Sequence, residues 1–235
     1  MPRILHLSDV HVGADNPDVP TAPEVRLGSV LAAVSSRGPF DAVVVTGDIC
    51  EAGAESDARV VRHLLDGIAP IVLAVPGNHD ESAVIRTVFG EPAATLGEWV
   101  VVGARTNVAG QVHGDGRTLA EAVARLADHA PDRPAVLLHH HPVHSRSTHP
   151  WFVLEHRDEA VDALARRSAP LLMLSGHTHD AFEARDGAVH FVGAPSTYYG
   201  IAHDAERWAP TPGATGAVVV ECRGDGGSLA DFVVA

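Results

Sequence analysis

The chain has 235 residues, of which 46% are hydrophobic and 20% charged, a composition that argues against a disordered chain and provides ample apolar material for a packed core. Its formal net charge is -13, from 30 acidic and 17 basic residues. A field of this sign repels a phosphate backbone, so we do not expect a nucleic-acid polymer as a partner. We predict a single domain over residues 1–235.

The sequence favours a location in the reducing cytoplasm. Two cysteines, Cys50 and Cys222, are too few for a disulfide framework in a chain of this size. The first residues run directly into a short apolar segment without the regions of a signal peptide, and no apolar stretch approaches the roughly 18 residues that a membrane helix needs. We therefore expect neither export nor membrane insertion. No pattern in the sequence indicates the oligomeric state.

The first half of the chain alternates between strand and helix patterns. Strands are predicted over residues 4–8, 40–46 and 71–75, and helices over residues 24–36 and 56–66. The second strand contains a continuous β-branched run that is typical of a strand buried on both faces. Strand, helix and strand at this spacing predict βαβ crossovers and a layered α/β fold.

The second half continues the alternation and then changes to antiparallel patterns. Helices are predicted over residues 82–89, 118–130 and 155–167, and strands over residues 98–104, 135–138 and 171–174. Asp186-Gly187 between two short apolar runs indicates a hairpin. Residues 216–222 and 229–234 are expected to form a last antiparallel pair.

Five of the predicted strands end in polar side chains that can bind metal ions. In open α/β sheets the carboxyl ends of the strands share one crevice, so separate loops can bring such groups together. We also expect Asp9 and His11 to point the same way, because residues i and i+2 of an extended backbone do so. The candidates are Asp9 and His11, Asp48, Asn78 and His79, His139 or a neighbour, and His177 with His179.

Histidine is unusually frequent, with 16 in the chain, and it is the commonest metal ligand. We expect a surface position only for His63, His113, His129 and His190. The candidate ligands are carboxylates, an amide and imidazoles without a thiolate, a set that suits Mn, Fe, Zn or Co. They are too many for one ion. Two ions about 3.5–4 Å apart and bridged by a carboxylate are usual in phosphoester hydrolysis, and Asp48, alone at its strand end, is the expected bridge.

Five sequence blocks stand in the order and spacing found in the calcineurin-like metallophosphoesterases, which the chain resembles between residues 9 and 179. They are Asp9-x-His11, Gly47-Asp48, Gly77-Asn78-His79-Asp80, His139-His140-His141-Pro142 and Gly176-His177-x-His179. The resemblance implies a four-layer α/β/β/α sandwich around a dinuclear metal centre. It also implies a metal-dependent phosphohydrolase with a small phosphoester as substrate.

The resemblance further implies which residues bind each ion. One ion would be bound by Asp9, His11, Asp48 and His179, and the second by Asp48, Asn78, His139 and His177. At the triple histidine we prefer His139, because a rigid strand end is the best support for a ligand. His140, two residues before Pro142, is the alternative.

The expected mechanism is attack by a hydroxide that bridges the two ions. His79 is expected to stabilise the transition state or to protonate the leaving alkoxide. Asp80 is expected either to orient His79 through a hydrogen bond or to cap the helix that follows. Asn78, His79, His140 and Arg146 are the expected substrate contacts, and His149 and Trp151 lie on the same loop as Arg146.

Within the family, the triple-histidine block, Gly176-His177-x-His179 and Gly193-Ala194-Pro195-Ser196-Thr197 resemble the class III cyclic-nucleotide phosphodiesterases. This branch implies a phosphodiesterase acting on cyclic nucleotides or small phosphodiesters. A phosphomonoesterase acting on nucleotides or other small phosphates is the alternative. A scaffold protein on the same fold is a further alternative, but every ligand position here is filled by a ligand-type residue.

Overall fold

The computed structural model describes residues 1–145, 147, 149–204 and 207–235. The helices are α1 Pro23–Val34, α2 Glu55–Leu64, α3 Ser82–Phe89, α4 Arg117–His129 and α5 Arg157–Ala165. The strands are β1 Arg3–Leu7, β2 Ala42–Thr46, β3 Ile71–Val75, β4 Ala93–Leu96, β5 Trp99–Gly103, β6 Gly114–Asp115, β7 Ala135–Leu138, β8 Leu154–Glu155, β9 Leu171–Ser175, β10 Phe182–Asp186, β11 Val189–Gly193, β12 Gly200–Asp204, β13 Arg207–Thr211, β14 Gly216–Cys222 and β15 Ser228–Val234.

Two large sheets form the centre of the molecule. The first has five strands in the order β15-β14-β1-β2-β3, and the second has six in the order β10-β11-β9-β7-β5-β4. Strands β1, β2 and β3 are parallel, as are β5, β7, β9 and β11, whereas the remaining strands of both sheets pair antiparallel. Short pairs, β6 with β8 and β12 with β13, lie outside these sheets.

Three apolar cores separate four layers. Strand β2 shows how two of these cores form on the two faces of one sheet. Val43 and Val45 pack in the core shared with α1, α2 and α3, whereas Ala42 and Val44 pack between the two sheets. The side chains of a strand alternate between its faces, so a strand covered on both sides is apolar throughout. A third core joins the second sheet to α4 and α5. The predicted α/β/β/α sandwich is confirmed.

The helices follow local signals in the sequence. Helix α4 buries Leu119, Ala122, Val123 and Leu126, a 3.6-residue spacing that gives one apolar face. Each large aliphatic side chain buried in this way contributes about 1.5–3 kcal/mol. Helix α1 has a proline in its first turn, where a missing backbone N–H costs nothing. None of the described helices is long and apolar enough to cross a membrane.

The predicted elements agree with the structure at most positions, and β3, α3, β7 and β14 have the predicted bounds. Strand β4 and the β12–β13 hairpin were not predicted. Strand β4 is a short edge strand in which only Leu96 is buried, so it carries little periodic apolar signal. The surface position expected for His190 is wrong, because its side chain is buried between Ser228 and Glu183.

Candidate metal centre

The loops after β1, β2 and β9 leave their strands in an unusual backbone conformation. Six described residues other than glycine have a positive φ, and five of them are predicted ligands: Asp9 (53°), His11 (55°), Asp48 (48°), His177 (70°) and His179 (51°). Such conformations cost about 1–3 kcal/mol each and are concentrated at functional sites. Asp9 and His11 face the same site because of these turns, so the expectation of an extended backbone there is wrong.

Two glycines allow these loops to approach each other closely. A Cβ atom at Gly47, whose φ is 93°, would collide with the His140 ring and with the backbone of Gly77. A Cβ atom at Gly77 would collide with the Asp48 carboxylate. Glycine is therefore required at both positions for the Asp48 loop to lie against the loop after β3.

The first cluster of candidate ligands contains Asp9, His11, Asp48 and His179. Each offers one ligand atom, and these atoms all lie within 4.8 Å of one another in a buried site. His179 Nε2 is 3.3 Å from Asp9 Oδ1 and 3.3 Å from His11 Nε2. His11 Nε2 is 3.8 Å from Asp48 Oδ2. These are the four residues expected to bind the first ion.

Hydrogen bonds outside this cluster fix which nitrogens face inward. His179 Nδ1 donates to the Tyr199 carbonyl at 2.8 Å, and His11 Nδ1 is 2.8 Å from Glu51 Oε2. Because a carbonyl only accepts, the His179 ring carries its proton on Nδ1 when neutral and turns the Nε2 lone pair inward. Metal-binding histidines are usually oriented in this way. The inward lone pairs and carboxylates form a donor set that fits a divalent cation.

The second cluster forms around His140. His140 Nδ1 donates to the Thr46 carbonyl at 2.7 Å, and its Nε2 lies 3.3 Å from Asp48 Oδ2 and 3.2 Å from Asn78 Oδ1. His177 Nε2 donates to the Trp151 carbonyl at 2.9 Å, and the His177 and His140 ring centroids are 5.0 Å apart. Asp48 thus contacts both clusters, as expected of a bridging carboxylate.

The preference for His139 over His140 is not supported by this geometry. His139 Nδ1 is 2.9 Å from the His141 carbonyl, and its buried Nε2 has no hydrogen-bond partner within the described residues. Among these residues, no group of candidate metal ligands contains His139. The turn after β7 presents His140, and not the residue at the strand end, to Asp48.

The charges in the site favour a bound cation. Burial opposes the charged form of His140, yet the carboxylates of Asp48 and Asp9 raise its pKa to about 9. Burial likewise opposes ionisation of Asp48, but His140 and His11 hold the pKa of this carboxyl well below its usual range. The two carboxylates therefore stabilise positive charge beside His140.

Neither expected role of Asp80 is correct. Its carboxylate accepts hydrogen bonds from the backbone N–H groups of Ile49, Cys50 and Gly77, at 2.9–3.1 Å. Helix α3 begins at Ser82, with Glu81 at the N-cap position and no side-chain cap. Asp80 instead joins the loop after β2 to the loop after β3, and so fixes Asp48 relative to Asn78.

His79 lies at the edge of the site and is paired with Glu51, a residue that the sequence analysis missed. His79 Nδ1 donates to the Glu51 carbonyl at 3.0 Å, and Glu51 Oε1 lies 3.7 Å from the same nitrogen. The His79 backbone N–H donates to Asp48 Oδ1. In the sequence, the position of Glu51 three residues after Asp48 was the feature that could have indicated its place in the site.

Trp151, on the loop of the remaining expected substrate contact, lies near the second cluster. Arg146 lies outside the described residues. Trp151 is 48% exposed, and its backbone N–H is 3.3 Å from His149 Nδ1. The loop that carries Trp151 therefore borders the site, because the Trp151 carbonyl accepts a hydrogen bond from His177.

Comparisons with known proteins identify the family of the chain. A family model described as calcineurin-like phosphoesterase matches residues 2–181. A cAMP/cGMP dual specificity phosphodiesterase of Mycobacterium tuberculosis is 31% identical, over 82% of this chain and 64% of its own length. A 3',5'-cyclic adenosine monophosphate phosphodiesterase of Escherichia coli K12 is 26% identical, over 83% of this chain and 76% of its own length.

The fold also matches solved structures. A dimetal phosphatase from Danio rerio has a TM-score of 0.64 at 14% identity, with 99% of this chain and 96% of that chain covered. At this identity the likeness shows a shared fold. The family model covers most of the chain, and the chain therefore belongs to the calcineurin-like phosphoesterases, a family of metal-dependent phosphohydrolases.

Proposed function

We propose that this protein hydrolyses cyclic nucleotides or other small phosphodiesters at a centre of two divalent metal ions. The observation that carries the proposal is the position of Asp48 between two clusters of inward-facing ligands, 3.8 Å from His11 Nε2 and 3.3 Å from His140 Nε2. The names of the relatives from Mycobacterium tuberculosis and Escherichia coli support a cyclic-nucleotide substrate.

We propose the following ligands. Asp9, His11, Asp48 and His179 bind one ion, and Asp48, Asn78, His140 and His177 bind the other. Mn, Fe and Zn suit these imidazole and carboxylate ligands. When bound, the two ions supply Lewis-acid stabilisation of the phosphoryl oxygens and a nucleophile at neutral pH. His140 is thus a ligand in this proposal, and not a substrate contact.

The protein side chains would orient the substrate and move the leaving proton. Because His79 Nδ1 donates to the Glu51 carbonyl at 3.0 Å, its Nε2 is the atom available to the substrate. The ring is partly exposed, with 36% of its side-chain surface accessible, so a bound phosphoester can reach it. In its imidazolium form, with a second proton on Nε2, His79 would then protonate the leaving alkoxide, and Asn78 and Arg146 would contact the phosphate.

The whole chain forms one domain in this proposal, located in the cytoplasm. Strand β14, close to the end of the chain, pairs with β1 at its beginning, with Val220 opposite Ile4. The core between the sheets takes residues from both strands. This pairing and the shared core support the proposal of one domain.

The experiment is a substrate panel after removal of metal with EDTA and reloading with Mn²⁺, Fe²⁺ or Zn²⁺. Bis(p-nitrophenyl) phosphate and p-nitrophenyl phosphate compare a diester with a monoester. Cyclic AMP, cyclic GMP, 2',3'-cyclic nucleotides, glycerophosphodiesters and mononucleotides follow at a fixed Mn²⁺ concentration. We expect metal-dependent turnover of the diesters. Turnover of monoesters alone would favour the phosphomonoesterase, and folded protein inactive with every metal would favour the scaffold.

A further inference from the structure

A large cleft lies away from the candidate metal centre. Its volume is about 710 Å³, and it lies between α3 and α4, with β3 on one side and β4 and β5 on the other. None of the proposed metal ligands lines it. Its size falls within the range of about 300–1,000 Å³ that is usual for ligand sites in proteins.

The walls of this cleft are aliphatic. Val75 and Ile85 line it from the side of the first sheet and α3, and Val102 and Leu126 line it from β5 and α4. His129 is the one aromatic ring among the described residues that line it, and no Phe, Tyr or Trp side chain is present there. Nucleobases are usually bound by stacking on aromatic rings. The cleft therefore fits an aliphatic chain better than a base.

The cleft is also basic, although the chain has a net charge of -13. Among the described residues, four arginines line it together with one acidic residue, Glu91. The arginines are Arg86, Arg105, Arg125 and Arg133. This concentration of positive charge would attract an anion to a protein that otherwise repels one.

These guanidinium groups are not held by close carboxylates. Arg86 and Arg125 approach their nearest carboxylates only to 4.0 Å and 3.9 Å, whereas Arg59, outside the cleft, lies 2.6 Å from Glu55. Within the described residues, Arg105 has no ion pair. Exposed pairs at such long distances contribute little free energy, so Arg86, Arg105 and Arg125 remain available to a ligand. Arg133 donates through Nε to the Glu98 carbonyl at 3.1 Å, which leaves its terminal nitrogens for a ligand.

We propose that this cleft binds a long aliphatic chain that carries a terminal anion, such as a fatty carboxylate or an alkyl phosphate. The chain packs against the partly exposed Val100 and Val102 of β5, and the anion lies among the arginines. Guanidinium groups match carboxylate and phosphate oxygens in pairs of hydrogen bonds. The site is separate from the proposed hydrolytic function, and it is tested by binding alone.

The test is displacement of the fluorescent probe dansyl-undecanoate by dodecanoate, below its micelle concentration, from the metal-loaded 235-residue protein. We expect saturable binding at one site per chain. Arg125→Gln and Arg133→Gln should each weaken binding on the order of tenfold, because each removes a charge-assisted hydrogen bond. Ala93→Trp, at an exposed position on β4, should fill the cleft and abolish binding. Arg59→Gln on α2 removes the same charge outside the cleft and should change nothing.

Further ligands distinguish the sources of the anion. Binding of dodecanoate supports a free fatty acid, and binding of dodecyl phosphate supports a phosphorylated lipid; both support the proposal. Equal affinity for dodecanol would overturn the role of the arginines. No saturable binding, displacement by AMP but not by dodecanoate, or unchanged binding in Ala93→Trp would overturn the site. A dimer that Ala93→Trp disrupts, without dodecanoate binding, would assign the cleft to self-association instead.

Discussion

His140 Nε2 lies 3.3 Å from Oδ2 of Asp48, and both side chains are almost completely buried. Asp48 follows β2 of the five-stranded sheet, whereas His140 follows β7 of the six-stranded sheet. The candidate metal centre therefore joins the two sheets at the carboxyl ends of their strands. The geometry of the centre depends on how the two sheets pack. Its loops come from both sheets, and many hydrogen bonds hold them in place relative to each other.

The first prediction separates His140 from His139. Asparagine retains a side-chain N–H close to the position of Nδ1 but lacks Nε2, so each substitution removes one candidate ligand atom. We expect His140→Asn to lose one metal ion per chain and at least about 100-fold in turnover, since even indirect partners of a ligand contribute 10–100-fold. His139→Asn should retain both ions. Metal analysis of the two variants gives the answer, and metal loss in His139→Asn alone would reverse the assignment.

Asp48→Asn should have the largest effect on metal content. The substitution removes the negative charge shared by both clusters, so we expect fewer than two ions per chain and a loss of turnover of at least about 100-fold. Elemental analysis and hydrolysis of bis(p-nitrophenyl) phosphate measure the two effects. Asp66→Asn, an exposed acid on the surface near α2, is the control. Two ions bound normally in Asp48→Asn would show that this carboxylate is not a bridge.

His79→Ala should reduce turnover while leaving the metal content intact. General acid catalysis contributes about 10²–10⁴-fold, and it matters most when the leaving group is a poor one. We therefore expect a large loss with a cyclic nucleotide, whose leaving group is an alkoxide. The loss should be small with bis(p-nitrophenyl) phosphate, whose leaving group is stable. Equal losses with both substrates, or loss of metal, would contradict the proposed role.

Asp80→Asn should destabilise the fold. The carboxylate accepts hydrogen bonds from three backbone N–H groups, and an amide cannot accept through its nitrogen. We expect a loss of about 1–3 kcal/mol in the free energy of unfolding, measured by urea denaturation. Glu81→Gln, at the next position in the chain, is the matched control. Unchanged stability together with lost activity would return Asp80 to a role beside His79.

The metal-free protein should lose stability below pH 6.5. Burial lowers the pKa of His6 to about 3 and that of His139 to about 4, so the unfolded chain binds these protons first as the pH falls. The stability that these two neutral histidines contribute above pH 6.5 is therefore lost as the pH falls from 6.5 toward their folded-state pKa values. Each group should cost about 2 kcal/mol between pH 6.5 and 5.0. His139→Asn should make the urea-measured slope shallower by about one proton. An unchanged slope would contradict this.

Much of the fold follows from local sequence. The all-apolar run Ala42–Val45 predicted a strand covered on both faces, and the structure buries alternate residues in two different cores. Strand β4 and the β12–β13 hairpin escaped prediction because neither carries a strong apolar period. Their pairing depends on neighbours elsewhere in the chain, which a short window of sequence does not contain.

The sequence by itself determined the family and the set of residues near the metal centre, because each motif directly follows a strand and parallel strands end at a common edge. Only the tertiary structure decided which atoms of that set meet. His140 bonds to Thr46, which is 94 residues away, Asp80 bonds to Cys50, and Glu51 bonds to His11. These contacts depend on backbone turns with positive φ and on the packing of two sheets. The arginine-lined cleft likewise exists only in the folded chain, because residues of α3, α4, β3 and β4 that are far apart in the sequence line it together.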